Sequence, residues 1–312
     1  MATENLDLSK LAKYFSDEDA ARDLLEEMRW GKDGAVCPKC GGADPYKITP
    51  KAGSKTRKGL YKCRACRKQF TVTVGTVFED SHIPLSKWLL AIHLLASSKK
   101  GMSAHQLHRN LGISYKAAWF MAHRLRYAMK QGPMAALLEG TVEVDETYVG
   151  SKVKPGYRRA KNYVPKPKAP VVALVERGSG KVRVTTMPRV TANNLWKTIH
   201  ENVKWQTTNI VTDEAGTYAS LGLPHHESVK HRSGEYARGD VHTNTVEGFF
   251  SLLKRGINGV YHHVSTGHLG RYCDEFAFRY EHRKVTDGDR AKALVGMTEG
   301  KRLTFKQPAI AS

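Results

Sequence analysis

Two short cysteine pairs constrain this sequence more than any other feature. Cys37 and Cys40 lie in the string CPKC, and Cys63 and Cys66 lie in CRAC. Such spacing is typical of a zinc ribbon, in which two knuckles place four thiolates around one ion. The alternatives are four unrelated cysteines or a redox pair. We predict structural Zn²⁺, because a closed four-thiolate site leaves no coordination position open for chemistry.

The charge of the chain predicts a polyanionic partner. Its 312 residues contain 50 Lys and Arg against 30 Asp and Glu, a formal net charge of +20. Nucleic acid is the commonest partner of so basic a protein. The longest apolar stretch, around Trp88–Ala96, is too short to cross a membrane. Because no secretory signal pattern is visible at the N-terminus, we expect a cytoplasmic, nucleoid-associated protein without membrane contact.

Changes in composition and periodicity divide the sequence into five segments. These are an N-terminal helical segment at 1–34, a zinc ribbon at 35–78, a helix-turn-helix segment at 79–135, a mixed α/β domain at 136–284 and a C-terminal tail at 285–312. Within the α/β domain, residues 151–169 contain seven Lys or Arg, three prolines and no acid. This composition predicts a basic arm on the surface.

Basic residues in three regions are candidates for DNA contact. Nine Lys or Arg lie between Asp44 and Glu79 without an acid among them, and two amphipathic helices flank a turn that contains Gly112. Charge runs are often merely solvated faces, but two acid-free tracts beside a ribbon and a helix-turn-helix favour DNA. The candidates are Lys58, Lys62, Arg64, Arg67 and Lys68 in the ribbon, Tyr115, Lys116, Trp119, Arg124 and Arg126 on the recognition helix, and Lys152, Lys154, Arg158 and Arg159 in the arm.

Three carboxylates of the α/β domain are candidate metal ligands. Asp145 lies in the alternating strand VEVDETYVG, where a charge is costly unless it is paired or metal-bound. Asp213 ends the strand NIVTD, and α/β folds place functional residues at strand ends. Glu247 shares a polar helix stripe with Asn244 and Lys254, and periodicity alone favours solvent exposure for that stripe. If the acids converge, they can hold two Mg²⁺ or Mn²⁺ ions for phosphoryl transfer, with Lys254 near a DNA phosphate.

These motifs together resemble a known family. The strings FSDEDAARDLLEEMRW, CPKC, CRAC, VEVDETYVG, VTDE and HTNTVEGFFSLLKRG…YHHVSTGHLGRYCDEFAFRY are similar to those of zinc-ribbon DDE transposases of bacterial insertion sequences, the ISXO-like group. The resemblance covers about residues 14–284. It implies a ribonuclease-H-like catalytic domain, preceded by the ribbon and the helical segment. It also implies double-stranded DNA as the partner, both terminal inverted repeats and target DNA, and we expect a homo-oligomer on that DNA.

The resemblance assigns roles to individual residues. It implies that Asp145, Asp213 and Glu247 are the catalytic acids that bind Mg²⁺ or Mn²⁺. Lys254 matches the Lys or Arg that such transposases carry seven residues after the third acid. Some relatives carry Asn at the third position, so Asn244 is under consideration; we interpret it as a neighbour of the site.

Two histidines, His231 and His242, flank the last motif. They are candidates for positioning a phosphate or the attacking hydroxyl. Ordinary surface or capping histidines are an equally good interpretation.

The sequence thus predicts a transposase that binds the terminal inverted repeats of an insertion sequence and carries out metal-dependent strand cleavage and strand transfer. The alternative is a non-catalytic zinc-ribbon and helix-turn-helix regulator derived from a transposase. Intact acids at Asp145, Asp213 and Glu247 favour the enzyme, since a regulator has no need of buried acids at strand ends.

Overall fold

The chain folds into two structural units. The computed structural model describes residues 8–51, 53–132, 135–150, 168–214, 216–230, 234–235 and 237–305. Within these residues, one unit comprises 8–129 with 284–305, and the other lies between 130 and 283. Among the described residues, the helices are too short or too polar to span a membrane.

The first unit combines a small three-stranded sheet with helices. Its elements are α1 (Leu8–Ser16), α2 (Glu18–Trp30), β1 (Pro45–Lys47), β2 (Tyr61–Cys63), β3 (Gln69–Phe70), α3 (Leu85–Ser97), α4 (Ala104–Leu111), α5 (Tyr115–Met129) and, after the second unit, α10 (Asp287–Gly296). The strands pair antiparallel in the order β1-β2-β3. Asp17 begins α2 by accepting the N–H groups of Asp19 and Ala20, which have no partner within the helix.

Helices α4 and α5 lie where the sequence predicts two helices joined by a turn. Gly112 ends α4 in the left-handed conformation, with φ +57° and ψ +42°, which suits a residue without Cβ. Ala118, Met121, Leu125 and Met129 of α5 are buried, as the helical spacing of these apolar residues predicts, and Leu107 of α4 is buried as well.

The segment 285–312 differs from the expected tail, because part of it forms α10. Thr286 caps this helix by accepting the N–H of Asp289, and Arg290 donates from Nη1 to the carbonyl of Ala96 at 3.0 Å. Its large buried apolar residues are Leu294 and Val295. These two residues are adjacent and do not recur three or four positions apart, so they show no helical period, and the sequence pattern does not reveal the helix.

The second unit is an α/β layer structure. Its elements are β4 (Thr141–Val149), β5 (Ala169–Glu176), β6 (Val182–Thr186), α6 (Ala192–Asn202), β7 (Asn209–Asp213), α7 (Gly216–Ala219), β8 (His226–Val229), β9 (Ala237–Arg238), β10 (Val241–His242), α8 (Asn244–Gly256) and α9 (Thr266–Glu281). Five strands form a sheet in the order β6-β5-β4-β7-β8. Strands β4, β5 and β6 run antiparallel, whereas β7 and β8 run parallel to β4. This order and these directions confirm the ribonuclease-H-like α/β fold.

The buried strand β5 has helices on both of its faces. Val171 and Ala173 pack with residues of α8 and α9, whereas Val172 and Leu174 pack with residues of α6. Successive side chains of a strand point to opposite faces, so a nearly continuous apolar run is needed to fill both layers. The same alternation in β4 decides which residues face α8.

Candidate functional site

Strands β4 and β7 bring two aspartates together. Val144 packs in the apolar cluster of α6, so its neighbours Glu143 and Asp145 face the opposite side, toward α8. The parallel ladder between β4 and β7 pairs Glu143 with Val211. Two residues further along each strand are Asp145 and Asp213, which line the same pocket.

Helix α8 contributes the polar stripe that the sequence predicts. Val246 and Phe249 are buried against the sheet, while Glu247, Ser251 and Lys254 are exposed on the other side of the helix. These exposed side chains border a pocket of about 420 Å³ rather than open solvent alone. We call it the acidic pocket, and it is lined by Asp145, Glu146, Thr147, Asp213, Glu247, Phe250, Ser251 and Lys254.

The acids of this pocket repel one another. Burial raises the pKa of Asp145 to about 7; the N–H of Glu146, 2.7 Å away, opposes this rise, and the neighbouring Asp213 and Glu247 add to it. Burial also raises the pKa of Glu146, although the Tyr218 hydroxyl donates to its Oε2 at 2.5 Å. A divalent cation would relieve this repulsion, and carboxylate oxygens are the ligands that Mg²⁺ and Mn²⁺ prefer. The donor chemistry of the pocket therefore suits such an ion, whereas among the described residues only the four cysteines have ligand atoms that all lie within 4.8 Å of one another.

Glu143 connects β4 to the start of α8, a link that the sequence analysis did not identify. Its side chain is fully buried. Oε2 accepts the backbone N–H groups of Thr245 and Val246 at 2.7 and 2.9 Å, and Oε1 accepts Nε of Arg177 at 2.6 Å. The carboxylate thus satisfies free N–H groups at a helix N-terminus, where negative charge is favoured. The available signal was an acid two residues before Asp145 on the same strand face.

Two of the remaining candidates, His242 and Asn244, lie near this link. Nη2 of Arg177 donates to the backbone carbonyl of His242 at 2.7 Å and lies 3.1 Å from Nδ1 of the His242 ring. The same Nδ1 atom is 3.3 Å from Oε1 of Glu143. His242 therefore contacts the residues that hold α8. Asn244 is the exposed first residue of α8. His231 lies outside the described residues.

The four cysteines of the ribbon converge as the spacing predicts. The Sγ atoms of Cys37, Cys40, Cys63 and Cys66 all lie within 4.8 Å of one another. The N–H of Cys66 donates to Sγ of Cys63 at 3.5 Å and lowers the pKa of that thiol to about 7. Thiolates in a closed set of four fit Zn²⁺, because they leave no position for a reacting ligand.

Aromatic packing attaches the cysteine knuckles to α2. The ring of Tyr61 stacks on Phe70 at 5.6 Å between centroids and meets Trp30 edge-on at 5.1 Å. The Tyr61 hydroxyl donates to Glu26 at 2.7 Å, and Lys47 reaches the same carboxylate at 2.8 Å. The ribbon is therefore part of a small core shared with α2.

The predicted DNA contacts of the ribbon lie largely at its surface. Lys58, Arg64, Arg67 and Lys68 are exposed, and Lys62 is half-buried. Two of these side chains pair with acids outside the tract: Lys58 contacts Asp19, and Nε of Arg64 is 3.2 Å from Asp44. The tract therefore has less unpaired positive charge than its lack of acids suggests, because acids elsewhere in the chain pair with two of its side chains.

Two of the predicted contacts on α5 are wrong. Arg124 and Arg126 are only 6% and 2% exposed. Arg124 donates to the carbonyl oxygens of Glu79 and Leu303 at 2.6 and 3.2 Å. The second half of α5 is buried nearly all round, so its basic residues serve the interior and cannot contact DNA from there.

The exposed part of α5 is its N-terminal turn. Tyr115 is 44% exposed and stacks with His105 of α4 at 4.3 Å between ring centroids. Lys116 is exposed and lies over the ring of Phe305, and Trp119 is half-buried. The arm candidates Lys152, Lys154, Arg158 and Arg159 lie outside the described residues.

Comparisons with known proteins match both sites. Residues 137–281 match the family model of the ISXO2-like transposase domain, and residues 16–69 match that of the transposase zinc-ribbon domain. The first range contains the acidic pocket, and the second contains all four cysteines of the knuckles. An uncharacterized protein in transposable element ISH50 of Halobacterium salinarum is 30% identical over 289 residues, which cover 86% of this chain and 92% of that protein.

Solved structures similar to this chain include two viral assemblies or domains. A simian T-cell lymphotropic virus intasome in complex with PP2A regulatory subunit B56 gamma has a TM-score of 0.30 and 17% identity, over 60% of this chain and 64% of that one. The HTLV-2 integrase catalytic core domain in complex with magnesium has a TM-score of 0.29 and 14% identity, and the match covers 46% of this chain and 85% of that chain.

Proposed function

The chain belongs to the ISXO2-like transposases, and from this membership we propose that it cleaves DNA at the terminal inverted repeats of an insertion sequence and joins the freed 3′ ends to target DNA. One observation carries the proposal: Asp145, Asp213 and Glu247, from two strands and a helix, line a single pocket together with Lys254. A protein that only binds DNA has no use for acids whose mutual repulsion costs stability.

Each residue of the pocket has a distinct task in this proposal. Asp145, Asp213 and Glu247 bind divalent metal through their carboxylate oxygens. Two bound Mg²⁺ or Mn²⁺ ions would activate a water or a 3′-hydroxyl and stabilise the leaving oxygen of the phosphodiester. Lys254, one helical turn beyond Ser251 and two beyond Glu247, binds a DNA phosphate and holds the strand against the acids. Glu143 keeps α8 in register with β4, so that Glu247 stays near Asp145.

DNA recognition belongs in this proposal to the first unit. The exposed ribbon residues Arg67 and Lys68 bind phosphates of the terminal repeat, which fixes the position of the protein without reading sequence. Tyr115 and Lys116 are the exposed residues at the start of α5, where a recognition helix contacts base edges. Two copies of the chain, one on each repeat, form the working assembly.

A nicking assay tests the proposal. The substrate is a labelled duplex that carries the inverted repeat found beside the gene, incubated with Mg²⁺, Ca²⁺ or chelator, and a gel-shift is run on the same protein. We expect cleavage with Mg²⁺ alone, and none by Asp145→Asn or Glu247→Gln, while all proteins bind the duplex. The matched control is Glu201→Gln, and this variant should cleave normally. Glu201 is an exposed acid of α6 whose only ion pair among the described contacts is with Lys197. Wild type that binds the repeat but cleaves with no metal would support the regulator instead.

A further inference from the structure

A second, larger cleft adjoins the acidic pocket in the same unit. Its volume is about 740 Å³, and it runs between the end of β4 and the segment that follows α8. Lys254 lines both cavities, so a polymer lying in one can pass directly into the other. We call it the histidine cleft, and its described lining is Tyr148, Val149, Gly150, Lys168, Lys254, Ile257, Asn258, His262, His263 and Val264.

The two cavities have opposite chemical character. The acidic pocket contains four carboxylates, whereas the described lining of the histidine cleft contains none. Lys168 and Lys254 are cationic, and a histidine ring can donate an N–H to a phosphate oxygen in either protonation state. Tyr148 is one of the lining residues of the cleft and is 51% exposed. Cations beside an accessible ring are the combination that binds a single nucleic-acid strand, by phosphate contact and base stacking.

The backbone at the histidines has an unusual and well-supported conformation. Helix α8 continues into a π-helical turn, Ile257–Tyr261, and His262 follows with φ +58° and ψ −45°. Positive φ is costly for a residue with Cβ, and single π-turns are frequent at functional sites. The turn is anchored in the core: the Tyr261 hydroxyl donates to buried Glu275 at 2.7 Å, and its ring packs edge-on against Tyr272 at 4.7 Å. The surroundings therefore maintain a strained conformation that presents His262 and His263 to the cleft.

We propose that the histidine cleft binds the nucleotide of the DNA strand that adjoins the cleaved phosphodiester. Its base stacks on Tyr148, its phosphate is held by Lys168 and His263, and Lys254 spans the step into the acidic pocket. This inference rests on the proposed function and adds a binding site for the flanking nucleotide. The cleft thereby sets which bond along the strand reaches the acids.

Base-deletion mapping tests the cleft. A series of terminal-repeat duplexes, each lacking one base near the cleaved bond, is cleaved under single-turnover conditions by wild type, Tyr148→Ala and Tyr148→Phe. For wild type we expect one position at which base loss lowers the rate about tenfold, the usual effect of losing one stacked base. Tyr148→Ala should be slower on the intact duplex and insensitive to that position. Tyr148→Phe, which keeps the ring, should restore the wild-type profile.

A matched control and a second variant complete the test. Trp196, 40% exposed on α6 and outside the cleft, gives the control Trp196→Ala, which should keep the wild-type profile. His263→Ala should raise the DNA concentration needed for half-maximal cleavage and leave the melting temperature unchanged. If Tyr148→Ala retains the wild-type positional profile, the cleft does not bind the flanking nucleotide, even though cleavage stands. If wild type cleaves no duplex at all, the proposed function itself fails, and the cleft proposal with it.

Discussion

The two candidate metal sites of this transposase are built in opposite ways. The four cysteines of the ribbon lie within residues 37–66 and close around one position, so their geometry needs only two knuckles and a short hairpin. The acidic pocket takes Asp145 from β4, Asp213 from β7 and Glu247 from α8, so it forms only when these three elements, which are far apart in the sequence, pack together. A closed thiolate site supports its own module, whereas an open acid site carries stored repulsion that a cation relieves. Loss of a ligand should therefore damage structure in one unit and chemistry in the other.

The largest effect should follow from removing an acid. We expect Asp213→Asn to lower cleavage of the terminal repeat by about a thousandfold or more, with binding and melting temperature preserved. The double variant Asp145→Asn/Asp213→Asn should be no slower than either single variant, because ligands of one metal site fail together. Single-turnover cleavage on the labelled duplex measures both.

The third ligand is decided by the same assay. Replacing Glu247 with Gln should abolish cleavage, while Asn244→Ala should reduce it less, since Glu247 lines the pocket and Asn244 only begins the helix. The opposite ranking would show that Asn244 is the ligand.

The next effect concerns the ribbon. Cys63→Ser should release zinc and unfold the region around β1–β3, because metal binding and folding are coupled in such modules. The sheet of the second unit should stay folded. Metal analysis of purified protein and hydrogen exchange resolved by peptide measure the two outcomes. Wild-type protein without zinc, prepared under reducing conditions, would contradict the prediction.

An intermediate effect is expected at Glu143. Glu143→Gln should slow cleavage by about 10- to 100-fold, as is usual when a residue that supports metal ligands is lost, and should raise the Mg²⁺ concentration needed for activity. Glu176→Gln is the control, because it alters another buried glutamate of the same sheet, one that accepts the N–H of Glu139 and lies away from α8. Equal metal requirements for both variants would mean that Glu143 has only a general structural role.

The smallest effect is a pH dependence of stability. The pKa of Asp145 rises from an ordinary 3.8 to about 7 in the folded chain, so its contribution to stability is complete below about pH 4 and is lost as pH rises through 7. Metal binding requires the ionised form. We therefore expect the increase in melting temperature produced by Mn²⁺ to grow between about pH 6 and about pH 8. Asp145→Asn should show little increase at either pH.

Features that depend on near neighbours could be predicted from the sequence. The CxxC spacing gave the thiolate cluster, the alternation of β4 gave the face of Asp145, and Gly112 marked the turn between α4 and α5. Each of these follows from local geometry that repeats every two to four residues.

Features that depend on distant partners could not be predicted in this way. Arg124 looks like a surface residue in a basic helix, but its partners are carbonyls of residues 79 and 303. The role of Glu143 arises from N–H groups about a hundred residues later in the chain, at Thr245 and Val246. The stripe of Glu247 has the period of a solvent-exposed face, and only the sheet order shows that this face borders Asp145 and Asp213.

The contrast between the four-cysteine site and the acidic pocket is tested most directly by anomalous diffraction from crystals of the protein grown with zinc and Mn²⁺. The proposal predicts a zinc signal among the four cysteine Sγ atoms and a manganese signal in the acidic pocket, bounded by Asp145, Asp213 and Glu247. Crystals of Asp145→Asn should keep the zinc signal and lose the manganese signal. Manganese bound elsewhere, or bound equally well by Asp145→Asn, would contradict the assignment of the acidic pocket as the catalytic metal site.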